Sequence, residues 1–435
     1  MTAQSAPTRN GADQAPTLFS LFRNRNFTLL WLAQFISAMG AFMTTLATSI
    51  IIFRATGTVA SVGLLLLLAY LPGVLLGCFA GVAADRFDRK RIMIGAELLR
   101  GLMLLALPFL LTHNLIWLYI VTAASNAVKQ FFDPAQSSVI PAIVEEKQLA
   151  QANSLLSVSY NGAEIFGLMA AGLLAAQFDP VWAFYVDGLT FLLSAFSLLG
   201  LRLPSASRGQ SDTPQNFFLL IGEGLHHIKG THGLNRLFLL YIPVFIIFGL
   251  FNAVDLPFIV RTVKSELISG EFLFGLLEAG GLVGFIIGSL FMARWADQLW
   301  NGQWVVLSFI GMGLCTLFYA HSALLTSLLA LKVIYCVMNA FSYVGRQLLI
   351  QRETPAGLLG RVSSAFFMER DLCFMTGMAL AFVGDRFPLP WVVTAIGLSV
   401  LFCGLVGWGV PGLGRTLAPQ TTIQPTLGEP ALAKN

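Results

Sequence analysis

Gly77-Cys78-Phe79-Ala80-Gly81-Val82-Ala83-Ala84-Asp85-Arg86-Phe87-Asp88-Arg89-Lys90-Arg91 closes one long apolar run and opens the next. The small residues at 77, 81 and 84 let a helix end approach a neighbour closely. Asp85 stands where a carboxylate can cap a helix terminus. The cations behind it suit helix C-terminal carbonyls and lipid phosphates. A plain basic loop accounts for the cations but not for the glycine spacing joined to an Asp-Arg pair.

The surrounding composition names the solvent. Of 435 residues, 56% are hydrophobic and 11% charged, whereas soluble domains carry roughly 25% charge. There is too little charge to cover soluble domains or to keep the chain disordered. Outward from the quoted stretch, apolar runs near the ~20 residues needed to cross a bilayer recur. They fall at about 28–50, 59–82, 92–112, 115–134, 154–177, 181–201, 235–259, 271–293, 303–321, 324–345, 364–383 and 389–409. None alternates as membrane strands do. The expected fold is an all-α integral membrane protein with twelve transmembrane helices in two six-helix halves.

Cation placement orients the spans. With both termini in the cytoplasm, 18 Lys and Arg face inward, Arg54, Arg261, Lys264 and Arg386 face outward, and Arg100, Lys129, Lys332 and Arg370 fall within spans. Arg346 is counted here among the inward-facing cations. The net charge of +4 is therefore a topology signal, with no aromatic-laced basic patch to indicate nucleic acid. The first residues lack a basic region followed by an apolar one, so no cleavable signal peptide is expected.

The expected organisation is a cytoplasmic tail 1–26, a half 27–202, a cytoplasmic linker 203–234, a half 235–410 and a cytoplasmic tail 411–435. The linker holds Phe217-Phe218-Leu219-Leu220-Ile221-Gly222-Glu223, which reads as a short surface helix. Asp85 after span two has an echo in Asp297 after span eight. Six plus six spans with a long connection is an arrangement of two-half transporters.

With these residues in place, the quoted stretch resembles motif A of the major facilitator superfamily, Gly-x-x-x-Asp-Arg-x-Gly-Arg-Arg/Lys. The matches are Gly81, Asp85, Arg86, Arg89 and Lys90, with Asp88 in place of the usual glycine. That replacement resembles the drug:H+ antiporter branch containing macrolide-efflux and siderophore-export proteins. Phe131-Phe132-Asp133-Pro134-Ala135-Gln136, Val139-Ile140-Pro141, Ala152-Asn153-Ser154-Leu155, Gly360-Arg361-Val362 and Asp187 are similar too. The resemblance spans roughly 20–410. It implies that Asp85 caps the start of span eleven near 361–364, closing a cytoplasmic gate. Gly81, Asp85, Arg86, Arg89, Lys90, Asp133 and Arg361 are the candidate gating residues. The degenerate context of Asp297 implies a weaker or different second-half gate.

An ion at bilayer centre costs about 2.5–3.5 kcal/mol by insertion scales, so charges within spans should face the interior or water. Two readings stand for Glu97 with Arg100, and for Lys129 with Asp133: local neutralisation at helical spacing, or a gate network with the motif. One acid of Glu369-Arg370-Asp371 is expected to pair with Arg370. Lys332 stands alone in span ten. Glu164, Asp187, Asp255 and Glu278 have no local partner, and they are the proton-coupling candidates. Phe35 and Phe42, on one face of span one, are substrate-binding candidates. Helix packing is the competing reading for each.

No HExxH, Gly-x-Ser-x-Gly or Gly-x4-Gly-Lys-Ser/Thr pattern occurs, so neither enzyme chemistry nor direct ATP drive is expected. The five cysteines form no CxxC pair and read as buried hydrophobes. No metal or cofactor is expected. The leading expectation is a proton-coupled inner-membrane exporter of small apolar or amphipathic molecules working by alternating access. Its partners are substrate, protons and lipids, and the unit is a functional monomer. A metabolite, nutrient or metal-ion permease and a lipid flippase are the alternatives.

The charge bias makes a direct prediction. In a cysteine-free background on intact cells, a membrane-impermeant maleimide should label Ser322→Cys and leave Ser205→Cys unlabelled; the reverse pattern would invert the topology.

Overall fold

The computed structural model describes residues 18–202, 217–263, 269–295, 301–322, 324–411 and 413. Asp297 and Lys264 lie outside the described residues, and Gly81 and Asp85 are described only as backbone of their helix. The helices are α1 (Arg25–Thr56), α2 (Val59–Arg86), α3 (Arg89–Leu111), α4 (Ile116–Ile143), α5 (Leu149–Gln177), α6 (Trp182–Leu199), α7 (Phe217–Gly230), α8 (His232–Thr262), α9 (Gly270–Trp295), α10 (Asn301–Ala320), α11 (Leu325–Glu353), α12 (Leu359–Ala379), the short turn α13 (Val383–Arg386) and α14 (Leu389–Gly409). Each of the twelve apolar runs has its helix. Among the described residues, ten helices are long and apolar enough to cross a membrane. The long helices α4 and α12 carry the Lys129–Asp133 and Glu369-Arg370-Asp371 charges.

Several helices outrun the apolar stretch that located them. α4 continues to Ile143 through Pro134 and Pro141, and α11 reaches Glu353. Neighbouring helices can re-satisfy the backbone groups a proline frees. Conversely, α12 stops at Ala379, and the expected eleventh span finishes in a 3-10 turn, Leu380–Phe382.

Packing repeats between the halves. In the first, α1 packs on α5 and α6, α2 on α4, and α3 on α4 and α6. In the second, α8 packs on α12 and α14, α9 on α11, and α10 on α11 and α14. These are the same contacts under the correspondence α1 to α8, α2 to α9, α3 to α10, α4 to α11, α5 to α12 and α6 to α14. Close backbone crossings demand small residues. A Cβ on Gly249 of α8 would strike the Phe374 carbonyl, and one on Gly377 of α12 would strike the Ile246 carbonyl.

The halves meet through α5 against α9 and α2 against α12 and α8. We call the end of the bundle bearing α7, Leu18 and Leu413 the terminal face, and the opposite end the far face. Contact between halves is concentrated at the far face. Asp385 of α13 accepts from the backbone N–H groups of Val59 (2.7 Å) and Ala60 (2.9 Å). It thereby caps α2, whose own N-cap residue Thr58 makes no side-chain capping bond. Arg54 of α1 pairs with Glu271 of α9 at 2.9 Å and also donates to the Ala175 carbonyl. Arg261 of α8 donates to the Gly57 carbonyl at the α1–α2 turn. Further in, Tyr70 and Phe374 rings lie 5.8 Å apart and Gly275 abuts the Leu168 carbonyl. Towards the terminal face a Cβ on Gly77 of α2 would meet open space and Phe79 is 67% exposed, while Ala80 stays buried. The molecule is therefore closed at the far face and open at the terminal face.

The Asp385 cap is expected to hold that closure. Val59, fully buried, serves as reporter in the form Val59→Cys. Adding Asp385→Asn should raise its maleimide labelling about fivefold, the consequence of losing roughly 1 kcal/mol of capping. Unchanged labelling would show that the cap does not hold the far face shut.

Candidate functional site

The cleft that opens at the terminal face is walled by α2 and α5 on one side and α9 and α12 on the other. Its floor is the far-face closure. Tyr70 on α2, Tyr160 and Glu164 on α5, Glu278 on α9, and Arg370 with Asp371 on α12 share this region. Tyr70 feels the charges of Arg370, Asp371 and Glu164, and Tyr160 feels those of Glu164 and Asp133. Arg370 pairs with Asp371 at 2.8 Å.

Behind Glu278 lies a buried ion cluster. The Lys332 ammonium donates to Asp255 Oδ2 at 2.8 Å and to Glu278 Oε1 at 2.6 Å. Tyr319 donates its hydroxyl to Asp255 Oδ1 at 2.9 Å. Asp255 and Lys332 are 3% and 6% exposed, and the Glu278 side chain retains 28% of its exposure. This corrects three sequence expectations. Lys332 is not alone, and Asp255 and Glu278 are not unpaired. Their partners sit on different helices, so no spacing within one span reveals them. Two carboxylates on one ammonium leave one negative charge in excess when all three are ionised. Removing one member of a buried ion pair costs about 3–5 kcal/mol, because its partner stays buried and uncompensated.

Glu164 is half-buried and meets the charge of Glu278 across the α5–α9 crossing. Asp187, on α6, is fully buried against α1, where it leaves no room for a side chain at Gly40. Phe35 stacks on Trp31 at 5.6 Å, and Phe42 meets Tyr160 edge-on at 5.1 Å. Of these two aromatic candidates, Phe42 thus touches the cleft group through Tyr160.

Glu97 feels the charge of Arg100, as local neutralisation expects. Arg100 donates to Ser125 Oγ at 3.2 Å and lies 4.0 Å over the Phe191 ring, leaving Glu97 Oε2 without a hydrogen bond. Lys129 and Asp133 do pair, at 3.8 Å, but both are substantially exposed. Arg346, counted among the loop cations, is in fact 3% exposed inside the second half, over the Tyr241 and Phe245 rings. Glu369 is 6% exposed and acts on by charge with Arg346, leaving Asp371 to Arg370. The sequence carried one signal for this: Arg346 and Glu369 both lie on helices that continue as spans.

Arg89, Lys90 and Arg361 are each held on their own side of the cleft. Asp88 caps α3 by accepting from Arg91 N–H at 2.9 Å, which gives the residue in the usual glycine position a local role. Arg89 donates to the Ser138 carbonyl at 3.4 Å, and Lys90 to the Leu199 and Leu201 carbonyls at 2.8 and 2.7 Å. These bonds tie the motif loop to α4 and to the end of α6. Arg86 is exposed. Arg361, at the start of α12, pairs with Glu223 of α7.

Among the described residues no group of three or more His, Cys, Asp or Glu is placed to hold a metal. The described cysteines Cys315, Cys336, Cys373 and Cys403 are free thiols.

Comparison with known proteins places this architecture. The chain is 27% identical over 419 residues to the uncharacterized MFS-type transporter YfiS of Bacillus subtilis (strain 168), covering 88% of this chain and 91% of that protein. It is 27% identical over 270 residues to macrolide efflux protein A of Streptococcus pyogenes, covering 59% and 66%. Its fold matches the crystal structure of the nucleoside transporter NupG with a TM-score of 0.73 at 12% identity, over 88% and 98% of the two chains. The sequence profile of the Major Facilitator Superfamily matches residues 30–378. This multi-pass membrane protein, built to carry small molecules by secondary active transport, belongs to the Major Facilitator Superfamily.

Proposed function

We propose that the chain is a proton-linked carrier of a small polar or amphipathic molecule, and that Glu164 and Glu278 gate its closure. The observation that carries this reading is their like-charge opposition across the α5–α9 crossing. The halves already touch at Leu168 and Gly275, on the far-face side of both acids. Closing the terminal face presses Glu164 and Glu278 together in a poorly solvated place. Two like charges that close resist it. A proton on either acid relieves the repulsion, and so does a cationic group on a bound substrate. Proton and substrate then compete for one site, which is the requirement for exchange. Lys332 holds Asp255 and one Glu278 oxygen, and the one negative charge left in excess takes its proton from the open cleft.

The charged wall supports a metabolite or nutrient permease ahead of a carrier for purely apolar compounds, because buried charge without a polar ligand is costly. Export of an amphipathic molecule, as in the drug:H+ antiporter branch, is the second reading, and the likeness to macrolide efflux protein A favours it. In either case we place the chain as a monomer in the cytoplasmic membrane with both ends inside. The open terminal face then looks into the cytoplasm, and Arg361 is free to exchange Glu223 for Asp85 when that face closes.

A thermal-shift screen of nucleosides, dipeptides and macrolides at pH 6 and pH 8 would find a ligand. In proteoliposomes, an imposed pH gradient should drive its net flux in the wild type, with the direction separating permease from exporter. Glu164→Gln and Glu278→Gln should lower gradient-driven flux roughly tenfold or more, on the scale of losing a charge-coupled interaction of about 1.4 kcal/mol or above, while substrate-for-substrate exchange persists. Gradient-driven flux unaffected in both variants would sink the proposal.

A further inference from the structure

At the far face the second half carries two adjoining cavities that the cleft does not use. The first, about 400 Å³, is lined by Arg261 and Thr262 at the end of α8, by Asp385 and Arg386 of α13, and by Phe387 and Pro388 of the turn into α14. The second, about 340 Å³, is lined by Ile247 and Leu250 of α8 and by Trp391, Ala395 and Ser399 of α14. Phe387 borders both, so the two meet at its side chain. Val383 of α13 also lines the second cavity, so the break that ends α12 at Ala379 helps to shape it.

The two compartments differ in chemistry. In the first, Asp385 gives both carboxylate oxygens to the backbone N–H groups of Val59 and Ala60. Arg261 donates to the Gly57 carbonyl and lies 5.1 Å over the Phe53 ring. Arg386 lies 5.2 Å over the Phe382 ring and makes no hydrogen bond or ion pair among the described residues. Two cations thus face one acid that is already committed, a net charge of plus one. The second compartment is apolar apart from Ser399. It follows α14 from Trp391 to Ser399, about 12 Å at the rise of an α-helix, against the roughly 15 Å of hydrocarbon in one leaflet. Phe387 and Trp391, both exposed, stand at its far-face end, where aromatic side chains mark the headgroup level. The matching turn of the first half, Phe178-Asp179-Pro180-Val181, carries no cation of its own, and its Asp179 accepts from the Val181 N–H at 2.9 Å. Arg54, which reaches the end of α5, is already paired with Glu271.

From this juxtaposition of a basic pocket and an apolar groove we infer that the second half binds one anionic phospholipid, its phosphate in the pocket of Arg261 and Arg386 and one acyl chain along α14. A free phosphate would leave the groove unused, and a zwitterionic lipid would bring its own cation to a place that already has two. The site lies outside the cleft and is independent of Glu164 and Glu278.

The test uses the full-length protein in lipid nanodiscs containing phosphatidylglycerol or phosphatidylcholine brominated in the acyl chain. Bromine quenches tryptophan on contact, and the difference between the wild type and Trp391→Phe isolates the signal of Trp391. Read from mixtures of the two lipids, the relative affinity at Trp391 should favour phosphatidylglycerol about tenfold, and Arg386→Ala should lower that preference about fivefold, the effect of one basic residue at a membrane surface. Lys229→Ala, which removes an exposed cation of α7 at the terminal face, should leave the preference intact. Should Arg386→Ala fail to fold, Ala395→Phe, which fills the groove from its exposed side, should remove the preference instead. Equal quenching by both lipids in the wild type, or a preference that persists in Arg386→Ala and in Ala395→Phe, would overturn the inference. So would a melting temperature in phosphatidylcholine nanodiscs that inorganic phosphate raises as much as phosphatidylglycerol does, since the arginines would then hold a free anion without the groove.

Discussion

A bilayer interior cannot solvate an ion, and the arrangement of this protein follows from that constraint. Only 11% of the chain is charged, most of its cations lie outside the spans, and each charge within the hydrocarbon must find a partner or open onto water. Lys332 shows the first solution. It lies between Asp255 and Glu278 and thereby fastens α11 to α8 and α9 deep inside the second half. Glu164, Arg370 and Asp371 show the second, since they border the open cleft. Arg100 shows a third, spreading its charge over an aromatic face and one hydroxyl.

The two ends of the bundle use charge differently. At the far face, Asp385, Arg54 and Arg261 each cross between halves. A carboxylate capping a helix of the other half is a bond that a rocking motion must break. It is worth about 1 kcal/mol, strong enough to favour one state and weak enough to release. At the terminal face the equivalent polar groups are turned inward on their own side. Lys90 and Arg89 hold loop carbonyls, and Arg361 holds Glu223. Under the proposed function, exchange of partners at the two faces is what alternating access requires of these groups.

The motif around Asp85 illustrates how far a local pattern reaches. Its small residues, its acid and its cations were legible as a helix end followed by a tight basic turn, and the structure has α2 ending at Arg86 and α3 opening at Arg89. What the pattern did not contain was the conformation. Arg89 and Lys90 are engaged within the first half, while Arg86 stays exposed.

The number and order of the spans were legible in the sequence alone, because a helix must be apolar for about 20 residues to cross hydrocarbon and that requirement is local. So was the pairing of Lys129 with Asp133, four residues apart on one helix. The partners of Lys332 stand 77 and 54 residues away, Glu271 is 217 residues from Arg54, and Asp385 is 326 residues from Val59. Those separations leave no periodic trace in the chain. Which charges are neutralised, which face is closed and which acids oppose each other across the cleft were decided only by tertiary structure, because they depend on how helices from both halves are brought side by side.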